Sequence, residues 1–115
     1  MTMREQYDRL LDAYANAVGS ADADAMADLH ADDVILLCPG LPAIIGREAL
    51  REHYRDTLGD GYKVDIKVQD YCEHGDIAYV AGTLQVEDQK GKFLEVVRRE
   101  RDGSLLIHRA CLNMS

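Results

Sequence analysis

Apolar positions recur at helical spacing over the first part of the chain. Tyr7, Leu10, Leu11, Tyr14 and Val18 fall on one face, which predicts an amphipathic helix over residues 3–18. Thr2 and Glu5 form a capping box at its start, and Gly19 ends it. A second, shorter helix is expected over about 22–30, capped by Ser20 or Asp22, with Met26, Leu29 and His30 toward one side. Val34–Leu37 is a short apolar run that reads as a buried strand, closed by Cys38–Pro39–Gly40 because proline cannot donate to a sheet ladder. A helix over Arg47–Leu58 follows, with Leu50, Tyr54 and Leu58 as its apolar stripe and Gly59–Gly61 as its stop.

From Tyr62 onward the period changes to two. Val64, Ile66 and Val68 alternate with Lys63, Asp65 and Lys67, the pattern of a half-buried strand. Turns at His74–Asp76, Asp88–Gly91 and Asp102–Gly103 separate three further strands, Ile77–Glu87, Lys92–Arg101 and Leu105–Met114. Helices followed by an antiparallel meander define an α+β domain with the helices against one sheet face. In the last three strands both alternating sets are largely apolar. The face away from the helices would therefore expose a hydrophobic patch, which predicts a homodimer through that outer face.

Composition narrows the picture further. A length of 115 residues suits one domain spanning 1–115, and 47% hydrophobic with 30% charged residues is ordinary for a globular chain. No apolar run approaches the roughly 20 residues of a membrane helix, and the charged N-terminus lacks a signal-peptide core, so a cytoplasmic protein is expected. Three cysteines, at 38, 72 and 111, fit neither a disulfide framework nor a zinc site. The net charge of −8 would repel a polyanion, which argues against a nucleic-acid partner. The sequence carries no P-loop, Gly-rich dinucleotide motif, Ser-His-Asp signature or metal cluster, so neither a metal nor another cofactor is expected.

The element order, the Ala-Asp-Asp–strand–Pro stretch at 31–39, the IIGREALREHY helix opening and the GDIAYV hairpin resemble the nuclear transport factor 2 superfamily. Within it, the SnoaL-like and ketosteroid-isomerase-like proteins are the most similar. The resemblance spans nearly the whole chain. It implies a cystatin-like α+β barrel, a cone-shaped antiparallel sheet curved around three N-terminal helices with a ligand pocket inside. Carried onto this sequence, the oxyanion-hole tyrosine of the steroid isomerases falls on Tyr14, and a supporting tyrosine on Tyr54. Their neutral carboxylic acid falls on Glu95, aspartate having become glutamate. Their general base, an aspartate before a proline, falls on Cys38.

Each of these positions also has a plain reading. A tyrosine at position 14 on an apolar helix face can be core. Periodicity lets Glu95 face inward, with its pKa raised, or outward as a solvated charge; the family register turns it inward. That register also directs His108 into the cavity with Leu106, Ala110 and Leu112, where an imidazole could replace the missing aspartate as base. A cysteine at 38 could serve only as a thiolate, which needs a cationic neighbour; otherwise it is a small buried hydrophobe. His30 is expected to edge the pocket, and Phe93, Val97, Ala110 and Leu112 to line it with Tyr54, whereas His53 and His74 read as solvated.

These features imply an enzyme that binds an apolar small molecule through a carbonyl. Tyr14 and Glu95 would hold the oxygen, and His108 or Cys38 would move a proton on the adjacent carbon, in a cofactor-free isomerisation, cyclisation or dehydration. The alternative is a non-catalytic module of the same fold that binds a small ligand or dimerises.

Overall fold

The computed structural model describes residues 1–114. Two helices come first, α1 (Met3–Gly19) and α2 (Ala23–Asp28), then strand β1 (His30–Leu37), the two-residue β2 (Ile44–Ile45) and helix α3 (Arg47–Thr57). Four long strands complete the chain: β3 (Val64–His74), β4 (Ile77–Val86), β5 (Gln89–Arg99) and β6 (Leu105–Met114). The α1 capping box forms as the sequence predicts: Thr2 Oγ1 accepts from the Glu5 N–H at 3.1 Å, and Glu5 Oε1 accepts from the Thr2 N–H at 2.9 Å. Asp22 caps α2 through the Ala25 N–H.

The strands form one sheet in the order β2-β1-β6-β5-β4-β3. It is α+β in class and mixed in direction. β3 to β6 and the β1–β2 pair are antiparallel, while β1 runs parallel to β6. The sheet does not close, since β2 and β3 are free edges. The core lies between its inner face and the helices, where Tyr7, Leu10, Val18, Met26, Leu50 and Tyr54 meet Val34, Val80, Val97 and Ile107.

Two departures from the sequence reading matter for the site. The helix expected over 22–30 stops at Asp28, because Leu29 and His30 are taken by the sheet. The Ile107 N–H donates to the Leu29 carbonyl at 2.9 Å, and His30 is in register with Ile107. β1 thus begins at His30, well before Val34. The second departure is a bulge in β6: Val96 is opposite Arg109 and Val97 opposite Ile107, which leaves His108 as the extra residue. Alternation resets there. Leu105 and Ile107 face inward before the bulge, Ala110 and Leu112 after it, and Leu106 with His108 turn to the other side.

On β4, Gly82 lies directly opposite Phe93. A Cβ on Gly82 would sit 2.7 Å from the Phe93 ring and 2.2 Å from the Lys67 carbonyl oxygen, so only glycine admits both neighbours. This close approach lets the Phe93 ring lie back against β4. Among the described residues no helix is long and apolar enough to cross a membrane.

Candidate functional site

The helices and the inner sheet face enclose a cavity of about 40 Å³. Its walls are apolar, including Leu11, Leu36, Leu84, Phe93 and Ile107, and among the described residues four polar side chains reach it: Tyr14, His30, Tyr54 and Glu95. They arrive on four different elements. Tyr14 comes from the middle of α1, His30 from the first position of β1, Tyr54 from α3 and Glu95 from the middle of β5.

Glu95 faces inward between Phe93 and Val97 and is 8% exposed. Burial pushes its carboxyl up to about 7, against a hydrogen bond from Tyr7 that favours the ionised form. The Tyr7 hydroxyl, itself fully buried, donates to Glu95 Oε1 in a short contact. Tyr7 is a site residue that sequence reasoning placed only on the core face of the first helix. Its spacing held the available signal: it precedes Tyr14 by two helical turns, so both phenols emerge on the same side of α1.

Burial also raises the Tyr14 phenol, while the neighbouring Tyr54 hydroxyl favours its phenolate, and Tyr62, Glu95 and Cys38 oppose it. Tyr54 is raised by burial and by Tyr14. Tyr14, Tyr54 and Glu95 thus line one apolar cavity, two phenols that stay protonated at neutral pH and a carboxyl poised near neutrality that donates when protonated.

His30 is 1% exposed. Its Nδ1 lies 2.6 Å from the Met26 carbonyl oxygen, which can only accept, so Nδ1 carries the proton and Nε2 keeps its lone pair. Burial holds the imidazole down to about 4; the Met26 contact opposes this and Arg47 adds to it. Among the described residues Nε2 has no hydrogen-bond partner, and no sealed polar side-chain atom is left unpaired. The lone pair therefore opens onto the cavity that His30 lines.

The remaining sequence candidates divide. Phe93, Ala110 and Leu112 line the cavity, and Val97 is buried in the core beside it. Cys38 follows the last residue of β1, half-buried against the core and outside the cavity lining. Burial and Cys111 push its thiol up, so it is uncharged at neutral pH and unsuited to act as a thiolate. The expectation that His108 faces the cavity is corrected by the β6 bulge. Its Nε2 meets Asp33 Oδ2 at 3.2 Å on the outer surface, where Arg98 and His108 hold the Asp33 carboxyl down to about 2. Among the described residues no three His, Cys, Asp or Glu side chains converge as a metal-ligand set.

An open sheet over three helices, with a tyrosine–carboxylic acid pair on an internal apolar cavity, defines a cone of the nuclear transport factor 2 type. The match to a family model describing the SnoaL-like domain covers residues 11–106, and the chain belongs to that family. Its fold is similar to a ketosteroid isomerase-like protein from Erwinia carotovora atroseptica SCRI1043, at 24% identity and a TM-score of 0.81 over 93% of this chain and 92% of that one. It is similar also to an NTF2-like protein with a cystatin-like fold from Novosphingobium aromaticivorans, at 19% identity and a TM-score of 0.80 over 96% and 80% of the two chains. A candidate dehydratase of the NTF2-like family from Streptomyces avermitilis matches at 21% identity and a TM-score of 0.76, over 96% and 94%. No protein of curated function matches the chain.

Proposed function

We propose that the cavity binds the carbonyl end of a small apolar molecule and that the protein moves a proton on the neighbouring carbon without a cofactor, in an isomerisation, cyclisation or dehydration. The observation that carries this reading is that Tyr14 and a carboxyl poised near neutrality, Glu95, open on one apolar cavity. Two O–H donors in a water-poor site stabilise negative charge on a carbonyl oxygen far better than water does. Tyr7 donates to Glu95, and Tyr54 is the phenol next to Tyr14, so each donor has a second phenol beside it. The cavity exceeds the roughly 10–15 Å³ that one water needs by about threefold. It therefore receives the reacting end of a ligand; Leu11 and Ile66 also line a neighbouring depression with Asp8, Asp12 and Val64, into which a longer molecule would extend.

A second reading, a binding module without turnover, is favoured by the uncharged thiol at position 38, where the family resemblance puts a base. Phenol separates the two, since it presents the oxygen of an enolate on a ring that cannot react. It is expected to raise the melting temperature of the wild type, and Tyr14→Phe and Glu95→Gln should each weaken its binding by up to about tenfold, the worth of one buried hydrogen bond. Phenol binding that ignores both substitutions supports the module.

The outer sheet face supports a homodimer. Leu37, Cys111, Leu94 and Ala81 stand side by side across β1, β6, β5 and β4, with Leu37 and Leu94 45% and 56% exposed. Tyr79 and Ile77 extend the apolar patch on β4. Sedimentation should show the wild type as a dimer and Leu94→Asp as a folded monomer. A wild type that sediments as a monomer at tens of micromolar refutes the pairing.

A further inference from the structure

The cavity as described has donors for an oxygen, but neither position that the sequence offered as its proton acceptor faces it. Cys38 lies outside the lining, and His108 is turned to the surface. We infer that His30 Nε2 is the proton acceptor, so that the base enters from the start of β1 rather than from its end. The inference rests on the carbonyl-binding reading above.

Three features of position 30 point the same way. The imidazole is buried in the cavity wall, its tautomer is set by Met26, and the unprotonated nitrogen has no partner among the described residues. A histidine that served only to fasten α2 to β1 would be complete with the Nδ1 contact, and a leucine or phenylalanine would fill the remaining volume without a lone pair to desolvate. The charged and titratable groups around it are few. Arg47 of α3 donates to the His30 carbonyl at 2.9 Å, the Tyr54 ring of the same helix lies 6.5 Å away, and Tyr14 and Glu95 face it from α1 and β5. None of these is an anion that would hold the ring as imidazolium while Glu95 is protonated.

The chemistry balances with no further reactant. Nε2 takes a proton from the carbon next to the carbonyl, and the C–H electron pair becomes the new carbon–carbon π bond. The carbonyl π pair moves onto oxygen, where the Tyr14 and Glu95 hydroxyls hydrogen-bond to it. In a ligand with a carbon–carbon double bond one carbon further on, the imidazolium returns the proton to the far end of the dienolate while the oxygen pair re-forms the carbonyl, which moves the double bond into conjugation and restores neutral His30. An imidazole disfavoured as a cation by its surroundings releases that proton readily.

Acetone tests this without the natural substrate, because its few atoms suit the cavity and exchange of its methyl hydrogens for deuterium in D₂O requires both a base and stabilisation of the enolate. The wild type is expected to accelerate exchange over buffer, as read by proton NMR. His30→Asn keeps a donor for the Met26 carbonyl and removes the lone pair, and should lose about 10²-fold or more of the acceleration. Cys38→Ser should retain it. Exchange that survives His30→Asn but falls in Tyr14→Phe overturns the assignment of His30 and leaves the carbonyl site standing. A wild type no faster than buffer overturns both. Nitrogen-15 NMR of the wild type is a check that no substitution can disturb: Nε2 should carry the signature of an unprotonated imidazole nitrogen at neutral pH and shift when phenol is added. A protonated Nε2, or one indifferent to phenol, overturns the assignment.

Discussion

Replacing His30 by asparagine should make the fold lose about 3 kcal/mol of stability as the pH rises from 4.5 to about 7, a loss that the wild type does not show. The reason lies in two buried groups displaced in opposite directions. Folding keeps Glu95 protonated up to about 7, whereas in the unfolded chain it ionises near 4.5. Between these values the unfolded state releases a proton that the folded state retains, so stability falls as pH rises and levels off above the window. Folding keeps His30 neutral down to about 4, whereas unfolded it titrates near 6.5. Stability on its account is intact above 6.5 and falls as the pH drops toward 4. In the overlap the folded protein holds one proton on the carboxyl and the unfolded chain holds one on the imidazole, so the two slopes cancel. Glu95→Gln should expose the opposite slope, a loss of about 3 kcal/mol as the pH falls from 6.5 to about 4. Urea unfolding at half-unit pH steps measures all three proteins. Surface carboxylates such as Asp33 are common to them and drop out of the differences. Parallel curves for wild type and His30→Asn would show that the two groups are not buried as a neutral pair.

Substitution of Tyr14 by phenylalanine is expected to lower the acetone exchange rate about 10²–10³-fold, equivalent to roughly 3–4 kcal/mol at the transition state. The melting temperature should stay within a few degrees. The ring still fills its place on α1 and only the hydroxyl is lost, which leaves Tyr54 without its partner but close to the cavity space. Because the oxygen acquires charge only as the C–H bond breaks, the loss should appear in turnover more than in acetone affinity. Equal loss in both would mean that Tyr14 binds the ligand without favouring the transition state.

Most of the architecture was legible in the sequence because local pattern and final environment agree. The 3.6 period of α1, the capping pair Thr2–Glu5 and the strict alternation from Val64 are each reproduced in burial. What could not be read depended on distant partners. Leu29 and His30 suit a helix by composition and are drawn into the sheet by Ile107. β2 consists of two residues, too short to establish a period. The β6 bulge was hidden because both faces of that strand are apolar, so no polarity marked where the alternation slips. Family register directed Tyr14, Tyr54 and Glu95 toward one cavity, which all three line, but it could not reveal the Tyr7 contact. Nor could it turn His30 from a residue at the pocket's edge into one whose free nitrogen lines it.

The parallel pairing of β1 with β6 has a consequence for how the protein comes into being. His30 acquires its wall only when Ile107 lies beside it, and these residues are separated by most of the chain. During synthesis the helices and the β3–β5 meander can emerge and gather around an unfinished interior. The chamber itself has no floor until the final strand leaves the ribosome and slots between β1 and β5. Nascent chains arrested before that point should present an open, greasy trough to chaperones, and any capacity to take up a ligand should switch on in a single late step.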